Sequence, residues 1–277
     1  MTDGEVWLEG VDFTYADGTV ALRGVSLAIG RGEFVALLGP NGSGKTTLSR
    51  LLNGLLHPTA GRVLVDGIDT RERTVAELAL RVGYLFQNPN HQLVSATVRG
   101  EIEVGPRARR LPAAEVEARM LRASGLLGLE ALLDEHPLLL TLAQKQLVAL
   151  ASLVALEPLV LVLDEPTTAL DAAERRAVMD LVQSIHATGR TILLVTHEMD
   201  LAGEFADRCL ALSDGELIFD GSPRQIFTDA DTLGRASLEP PQVAQLAARL
   251  GQPRRPWLSL DEAAAALLSG RSAAPGE

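Results

Sequence analysis

The sequence predicts an α/β fold: a parallel-sheet core, an N-terminal antiparallel β layer, an inserted helical subdomain and a small C-terminal helical appendage. Three observations predict it. The run Gly39-Pro40-Asn41-Gly42-Ser43-Gly44-Lys45-Thr46-Thr47 follows the apolar segment Phe34–Leu38 and opens a helical pattern. Leu159–Leu163 and Thr191–Val195 are almost uniformly apolar, as strands of a parallel sheet covered on both faces must be. From about Pro89 to Leu156 the pattern turns helical, with few β-branched runs.

Taken in order, Val6 to Ile29 holds short β-like segments, Val11–Tyr15 and Val25–Ile29, separated by the turn pair Asp17-Gly18. They read as the antiparallel layer. The helix after the glycine-rich run is expected over Thr46–Leu55, followed by strand candidates at Arg62–Gly67 and Val82–Phe86. In the helical region, Glu115, Val116, Arg119 and Met120 share helical spacing. Strands resume at Leu159 and Thr191, and Asp214-Gly215 is a favourable hairpin turn. After Gly221, Val243, Leu246, Ala247 and Leu250 fall on one face of a helix over Gln242–Leu250, which reads first as an ordinary packed helix and, as the alternative, as a docking or dimerisation surface. A second helix begins near Ser259, where Ser259 and Glu262 have capping-box spacing, and ends near Gly270. Pro240-Pro241 and Pro253 to Pro256 separate these pieces, and Ser272–Glu277 is expected to be mobile. There is no internal repeat. The expected organisation is a core domain over 1–221, with its helical subdomain at about 89–156, and an appendage over 222–277.

With 277 residues the chain has room for one large α/β domain and a substantial core. Its 25 Lys+Arg against 36 Asp+Glu give a net charge of −11, which opposes attraction to nucleic acid and to anionic lipid. Cys209 is the only cysteine, so no internal disulfide forms and a reducing compartment is implied. It lies in the apolar segment Cys209–Leu212, which reads as core. Met1–Glu5 is acidic and lacks the apolar core of a secretion signal. The longest apolar region, Leu147 to Leu163, is interrupted by Glu157-Pro158. That suits a buried helix leading into a buried strand better than a membrane span.

The glycine-rich run fits G-x-x-x-x-G-K-[ST], the phosphate-binding loop of P-loop NTPases. Its glycines let successive N–H groups and the positive end of the following helix face negative charge. Lys45 would reach the outer phosphates, and the Thr46 hydroxyl would help hold Mg2+. Asp164-Glu165-Pro166 ends the apolar segment at Leu163, where open α/β sheets bind ligands. There Asp164 would support Mg2+ and Glu165 would polarise an attacking water. His197 ends another strand pattern, beside Glu198, within reach of a γ-phosphate. Gln87 ends a third and can offer its amide oxygen to Mg2+ or water. Tyr15 can stack on an adenine ring or pack in the core; pattern alone allows both.

Together these residues resemble the ATP-binding cassette (ABC) ATPases over roughly Val6 to Gly221. The resemblance implies ATP and Mg2+ as cofactors and matches Tyr15 to the adenine-stacking aromatic and Gly39–Thr47 to the Walker A loop. It likewise matches Gln87 to the Q-loop, Asp164 and Glu165 to the Walker B pair, Asp171 in Ala169-Leu170-Asp171 to the D-loop, and His197 to the switch histidine. Within that family, Phe86–Leu93 with Ala96–Ile102, and Leu238-Glu239-Pro240-Pro241, are similar to the ATPases of energy-coupling factor importers for vitamins and transition-metal ions. That likeness implies a transmembrane coupling subunit, a substrate-binding membrane subunit, and a peripheral position on the cytoplasmic face of the membrane. It implies no nucleic-acid partner.

One segment departs from the family. Its signature Leu-Ser-Gly-Gly-Gln aligns with Leu140-Thr141-Leu142-Ala143-Gln144, so a hydroxyl and an amide remain while both glycines are gone. In such dimers this segment caps the nucleotide held by the other subunit, and Leu142 puts bulk where close backbone approach is wanted. The expectation is therefore an asymmetric heterodimer with a second ABC ATPase subunit. Alternatives are an ATPase of another transporter class and a nonhydrolytic regulatory ATP-binding subunit. A soluble cassette acting on DNA or ribosomes fits less well, because paired cassettes and a long intervening coiled coil are both missing.

Overall fold

A computed structural model describes residues 4–251 and 255–271. Met1–Asp3, Pro253 and Ser272–Glu277, singled out above, lie outside the described residues.

The chain opens with β1 (Gly4–Thr14) and β2 (Val20–Gly30), then β3 (Phe34–Leu38), α1 (Lys45–Leu52), β4 (Ala60–Val65), β5 (Ile68–Asp69), α2 (Val75–Leu78) and β6 (Val82–Leu85). Next come three helices, α3 (Val98–Ala108), α4 (Ala113–Leu126) and α5 (Leu142–Leu156), and then β7 (Val160–Asp164), α6 (Ala172–His186) and β8 (Thr191–Val195). The remainder comprises α7 (Met199–Phe205), β9 (Arg208–Ser213), β10 (Glu216–Gly221), α8 (Pro223–Ile226), α9 (Ala230–Arg235), α10 (Gln242–Arg249) and α11 (Leu260–Arg271). The fold class matches the expectation.

One sheet has the order β2-β1-β4-β5 and the other β10-β9-β3-β8-β7-β6. In the second, β9, β3, β8, β7 and β6 run parallel and β10 is antiparallel to β9. Every residue of β3, β6, β7 and β8 is buried. The sheet's two faces follow from the period of two along each strand. Val35 and Leu37 of β3 join α1 and the antiparallel layer in one core, while Phe34, with Leu161 and Leu163 of β7, joins α5 and α6 in a second. Ala36 and Leu38 face a third cluster with Cys209, Ile226, Phe227 and Ala244, through which the segment after Gly221 packs on the core. The Cys209 thiol is fully buried, and burial pushes it up to about 12.

Four local expectations need correction. The helix after the phosphate loop ends at Leu52, not Leu55, because the Asn53 side chain accepts from the Leu55 N–H at 3.1 Å and Gly54 turns the chain at φ 73°. In α10 the buried stripe is Val243, Ala244 and Ala247, whereas Leu246 and Leu250 are 40% and 53% exposed. The four apolar residues do not share a packed face. At α11 only half of a capping box forms: Ser259 Oγ accepts from the Glu262 N–H at 3.2 Å, but the Glu262 carboxylate takes the Leu258 N–H at 2.8 Å. Finally, α8 and α9 fill a stretch for which no helix is expected from periodicity. Their caps are Ser222, bonded to Gln225, and Asp229, bonded to Thr232.

Candidate functional site

Parallel strands deliver their carboxyl ends to one edge of the sheet, and four of them supply the site. After β3, the chain turns through the glycine-rich run into α1. Gly44 sits at φ 104°, and a Cβ there would lie 2.5 Å from the Ala21 carbonyl oxygen; Gly39, at φ 144°, is pressed equally hard against the Leu212 carbonyl. Side chains would push the loop off its bed. Lys45, 7% exposed, donates from Nζ to the carbonyls of Gly39 at 2.7 Å and Pro40 at 2.9 Å. Burial lowers its pKa, and the Glu165 and Asp164 carboxylates oppose that.

A cavity of about 340 Å³ joins Tyr15, Asn41, Gly42, Gly44, Lys45, Thr46 and Thr47 with Gln87, Asp164 and Glu165. Tyr15 is half-exposed on its rim. Its hydroxyl is 2.8 Å from Thr47 Oγ1, and its ring meets Phe13 edge-on with centroids 4.8 Å apart. Of the two possibilities for Tyr15, the structure thus combines an edge anchored in the core with a place beside the loop. Pro40 and Asn41 also line a second cavity, of about 610 Å³, which runs past His197 to Glu239, Pro240 and Gln245. The Leu238–Pro241 segment therefore shares this cavity with Gly39, Pro40 and Asn41 of the phosphate loop. Ser43 is buried within the loop, its hydroxyl without a partner among the described residues.

Glu165 follows β7 in a left-handed conformation, φ 52°. Its Oε1 is 2.8 Å from His197 Nδ1, and its Oε2 is buried with no hydrogen-bond partner among the described residues. Asp164 is 6% exposed, and burial raises its pKa against the pull of a Tyr84 hydrogen bond and of Arg50 and Lys45. Among the described residues no cluster of three His, Cys, Asp or Glu side chains could hold a metal alone. Thr46, Gln87 and Asp164 are hard oxygen donors lining one cavity, a set that suits Mg2+ arriving with phosphate oxygens.

Two expected groups lie elsewhere. Thr141–Gln144 form the start of α5, where Thr141 Oγ1 accepts from the Gln144 N–H at 3.3 Å and Gln144 Oε1 accepts from the Thr141 N–H at 3.0 Å. Leu142 is 37% exposed beside them, and neither cavity includes any of the four. Asp171 spends its carboxylate capping α6, accepting from the N–H groups of Ala173 and Glu174 at 2.8 Å each.

Three neighbours were not expected. The Tyr84 hydroxyl donates to Asp164 Oδ2 at 2.8 Å and lies 3.0 Å from Ser49 Oγ. Burial, then the Asp164 charge, hold that phenol above its ordinary range, so it keeps its proton. A tyrosine inside an apolar strand was the available signal, since a buried phenol needs a partner. Glu198 accepts from Thr167 Oγ1 at 2.6 Å and from Arg175, contacts that no spacing announces.

The family model described as ABC transporter matches residues 22–168, more than half of the chain. The chain is 43% identical over 281 residues to the energy-coupling factor transporter ATP-binding protein EcfA1 of Symbiobacterium thermophilum, covering 96% of this chain and 98% of that protein. It is 42% identical over 252 residues to a putative ABC transporter ATP-binding protein of Caldanaerobacter subterraneus, covering 91% of this chain but spanning only 44% of that longer relative. A solved structure of cbiO1 from Clostridium perfringens, described as part of the ABC transporter complex cbiONQ, superposes with a TM-score of 0.77 at 33% identity. The match covers 90% of this chain and 100% of that one.

Proposed function

Since the chain belongs to the ABC transporter ATPase family, we propose that it is the ATP-hydrolysing subunit of an energy-coupling factor importer for a vitamin or a transition-metal ion. In this reading it works as one half of an asymmetric pair. The observation that carries the hydrolytic role is the convergence of the phosphate loop, Gln87, Asp164 and Glu165 on one cavity, with His197 bonded to Glu165.

Each residue then has a task. Backbone N–H groups of the loop and the start of α1 face the phosphates, and Lys45 exchanges its two carbonyl partners for phosphate oxygens. Tyr15 offers the exposed side of its ring to the base. Thr46, Gln87 and Asp164 would hold Mg2+, which neutralises charge on the β- and γ-phosphates when bound. Glu165 accepts a proton from, or polarises, the attacking water through Oε2, while His197 fixes Oε1. Asp171 acts by capping α6 and shaping the loop before it.

Asymmetry is inferred from the signature segment. Leu142 and Ala143 replace glycines at the first turn of α5, so the cap this chain lends to a partner's nucleotide is impaired, while its own pocket keeps every matched residue. A different ATPase subunit would supply the intact cap. No helix among the described residues is long and apolar enough to cross a membrane. The reading therefore assigns the crossing to a transmembrane coupling subunit and a substrate-binding membrane subunit, with this chain peripheral on the cytoplasmic face. A division at Gly221 between a nucleotide-binding domain and an appendage over 222–277 belongs to the same proposal.

The test measures ATP hydrolysis by the purified chain alone and with its neighbouring ATPase subunit. Strong activity only in the mixture is expected, and full activity alone refutes the asymmetric pair. Glu165→Gln should abolish the mixture's activity at this subunit's site; unchanged hydrolysis and transport would leave only a regulatory, ATP-binding role.

A further inference from the structure

The hydrogen bonds around Asp164 single out a residue that the phosphate loop, the strand-end carboxylates and the histidine leave unused. Tyr84 is the third residue of β6, and the parallel register pairs it with Val162 of β7. Strand alternation therefore points Tyr84, Val162 and Asp164 to the same face, where Tyr84 and Val162 share one core. Asp164 stands two residues beyond Val162, a rise of roughly 6.6 Å. A phenol leaning along the sheet spans that distance, and its hydroxyl meets Asp164 Oδ2 at 2.8 Å.

The far side of the same hydroxyl is tied to α1. Ser49 Oγ lies 3.0 Å from it and donates to the Thr46 carbonyl, also at 3.0 Å. The Tyr84 proton is committed to the carboxylate, so the Ser49 proton is shared between the Thr46 carbonyl and the Tyr84 oxygen. Tyr84 and Ser49 are 5% and 0% exposed, and Phe86 holds the Tyr84 ring from the side with centroids 4.8 Å apart. One phenol thus links the strand end bearing Asp164 to the helix bearing Thr46.

We propose that Tyr84 is a positioning residue for Asp164: by donating to Oδ2 it fixes the carboxylate rotamer and leaves Oδ1 for the magnesium side of the pocket. This rests on the nucleotide-pocket reading given above. Phenylalanine at position 84 would fill the same space and donate nothing, so Oδ2 would be free to compete with Oδ1.

The full-length chain is titrated with a fluorescent ATP analogue in Mg2+ and in EDTA, and the ratio of the two affinities is the readout. Tyr84→Phe should cut the Mg2+-dependent gain about ten-fold, the usual cost of losing a partner that orients a metal-binding carboxylate, and leave the EDTA affinity within about two-fold. Asp164→Asn should remove most of the gain, with Tyr84→Phe adding nothing in that background. Ser49→Ala, which disturbs the same buried group but spares the donor to Asp164, should lose less than about three-fold. An unchanged ratio in Tyr84→Phe, or an equal loss in Ser49→Ala, overturns the proposal.

A second readout needs no variant at position 84 to fold. The chain has two tyrosines, Tyr15 and Tyr84, so tyrosine labelled with carbon-13 at Cζ gives two signals, assigned with Tyr15→Phe. Adding Mg2+ to the ATP-loaded chain should move the Tyr84 signal in the wild type and not in Asp164→Asn; a signal that stays still in both overturns the proposal. If the wild type gains nothing from Mg2+, the pocket reading itself falls and takes this inference with it. If the wild type and Asp164→Asn differ as expected while Tyr84→Phe matches the wild type, this inference alone falls.

Discussion

Glu198 ties together the two ends of the Asp171-bearing loop, and its removal should be felt as a cooperative loss. The side chain is 17% exposed, accepts from Thr167 before the loop at 2.6 Å and from Arg175 after it. Between them Ala169 adopts a left-handed conformation, φ 63°, a strained backbone that persists only when its surroundings hold it; the Glu198 contacts and the Leu170 N–H to Thr167 carbonyl bond at 3.1 Å both contribute. A hydrogen bond to an ionised group contributes about 1.5–3 kcal/mol, and the Arg175 side, 35% exposed, belongs at the lower end because solvent screens it. Glu198→Ala should then cost about 3 kcal/mol and Thr167→Val about 1.5 kcal/mol. In a chain of this size each kcal/mol moves Tm by roughly 2–4 °C. The assay is urea denaturation of both single variants and the double variant. Because Thr167 donates to Glu198, the double variant should cost at least about 1 kcal/mol less than the sum. Strict additivity, or a loss below about 0.5 kcal/mol for Glu198→Ala, would show that the three side chains do not act as one joint.

Four further outcomes are expected. Gly44→Ala, strained by φ 104° and by contact with the Ala21 carbonyl, should weaken ATP binding at least about ten-fold, for a cost of at least about 1.4 kcal/mol, in an equilibrium titration. Leu142→Gly with Ala143→Gly should raise hydrolysis by the purified complex, while lowering α5 stability by at most about 1 kcal/mol per glycine, read by ATPase assay and Tm. Burial holds the Glu5 carboxyl above its ordinary value, opposed by the Thr191 hydroxyl and by Arg31 and Arg190 and reinforced by Asp66. The folded chain therefore binds more protons than the unfolded one between the two pKa values, and stability falls as pH rises through that window. Glu5→Gln, which keeps an acceptor for Thr191, should raise Tm by roughly 2 °C at neutral pH and leave it unchanged near pH 4. The Cys209 thiol, buried and raised to about 12, should resist alkylation at pH 8 in the native chain and react once denaturant is added.

Much of the core was legible because its signals are local. Leu159–Leu163 and Thr191–Val195 announce themselves as strands covered on both faces, and the loop at Gly39–Thr47 carries its chemistry in consecutive residues. What was not legible depends on register. Tyr84 meets Asp164 only because β6 and β7 pair Tyr84 with Val162, and His197 meets Glu165 only because β8 lies beside β7. The exposed Leu246 and Leu250 show the same limit: spacing gives a face, but the neighbours of α10 decide which side of it is packed. For α8 and α9 a signal was present, since Ser222 and Gln225 have the spacing of a capping box, but helices this short show no periodicity. The Glu262 half-cap failed because its carboxylate found the Leu258 N–H and Arg224 instead.

Helix α1 has a sheet on either side. Leu48, Leu51 and Leu52 are buried in the core shared by the antiparallel layer and the face of the central sheet that bears Val35 and Leu37. In the reading proposed above, the helix that would grip a triphosphate is consequently clamped between two sheets. Any recoil from hydrolysis is taken up more readily by parts that lack such clamping, and an enlarged side chain at Leu48, Leu51 or Leu52 would be transmitted to the loop instead of being accommodated by the helix.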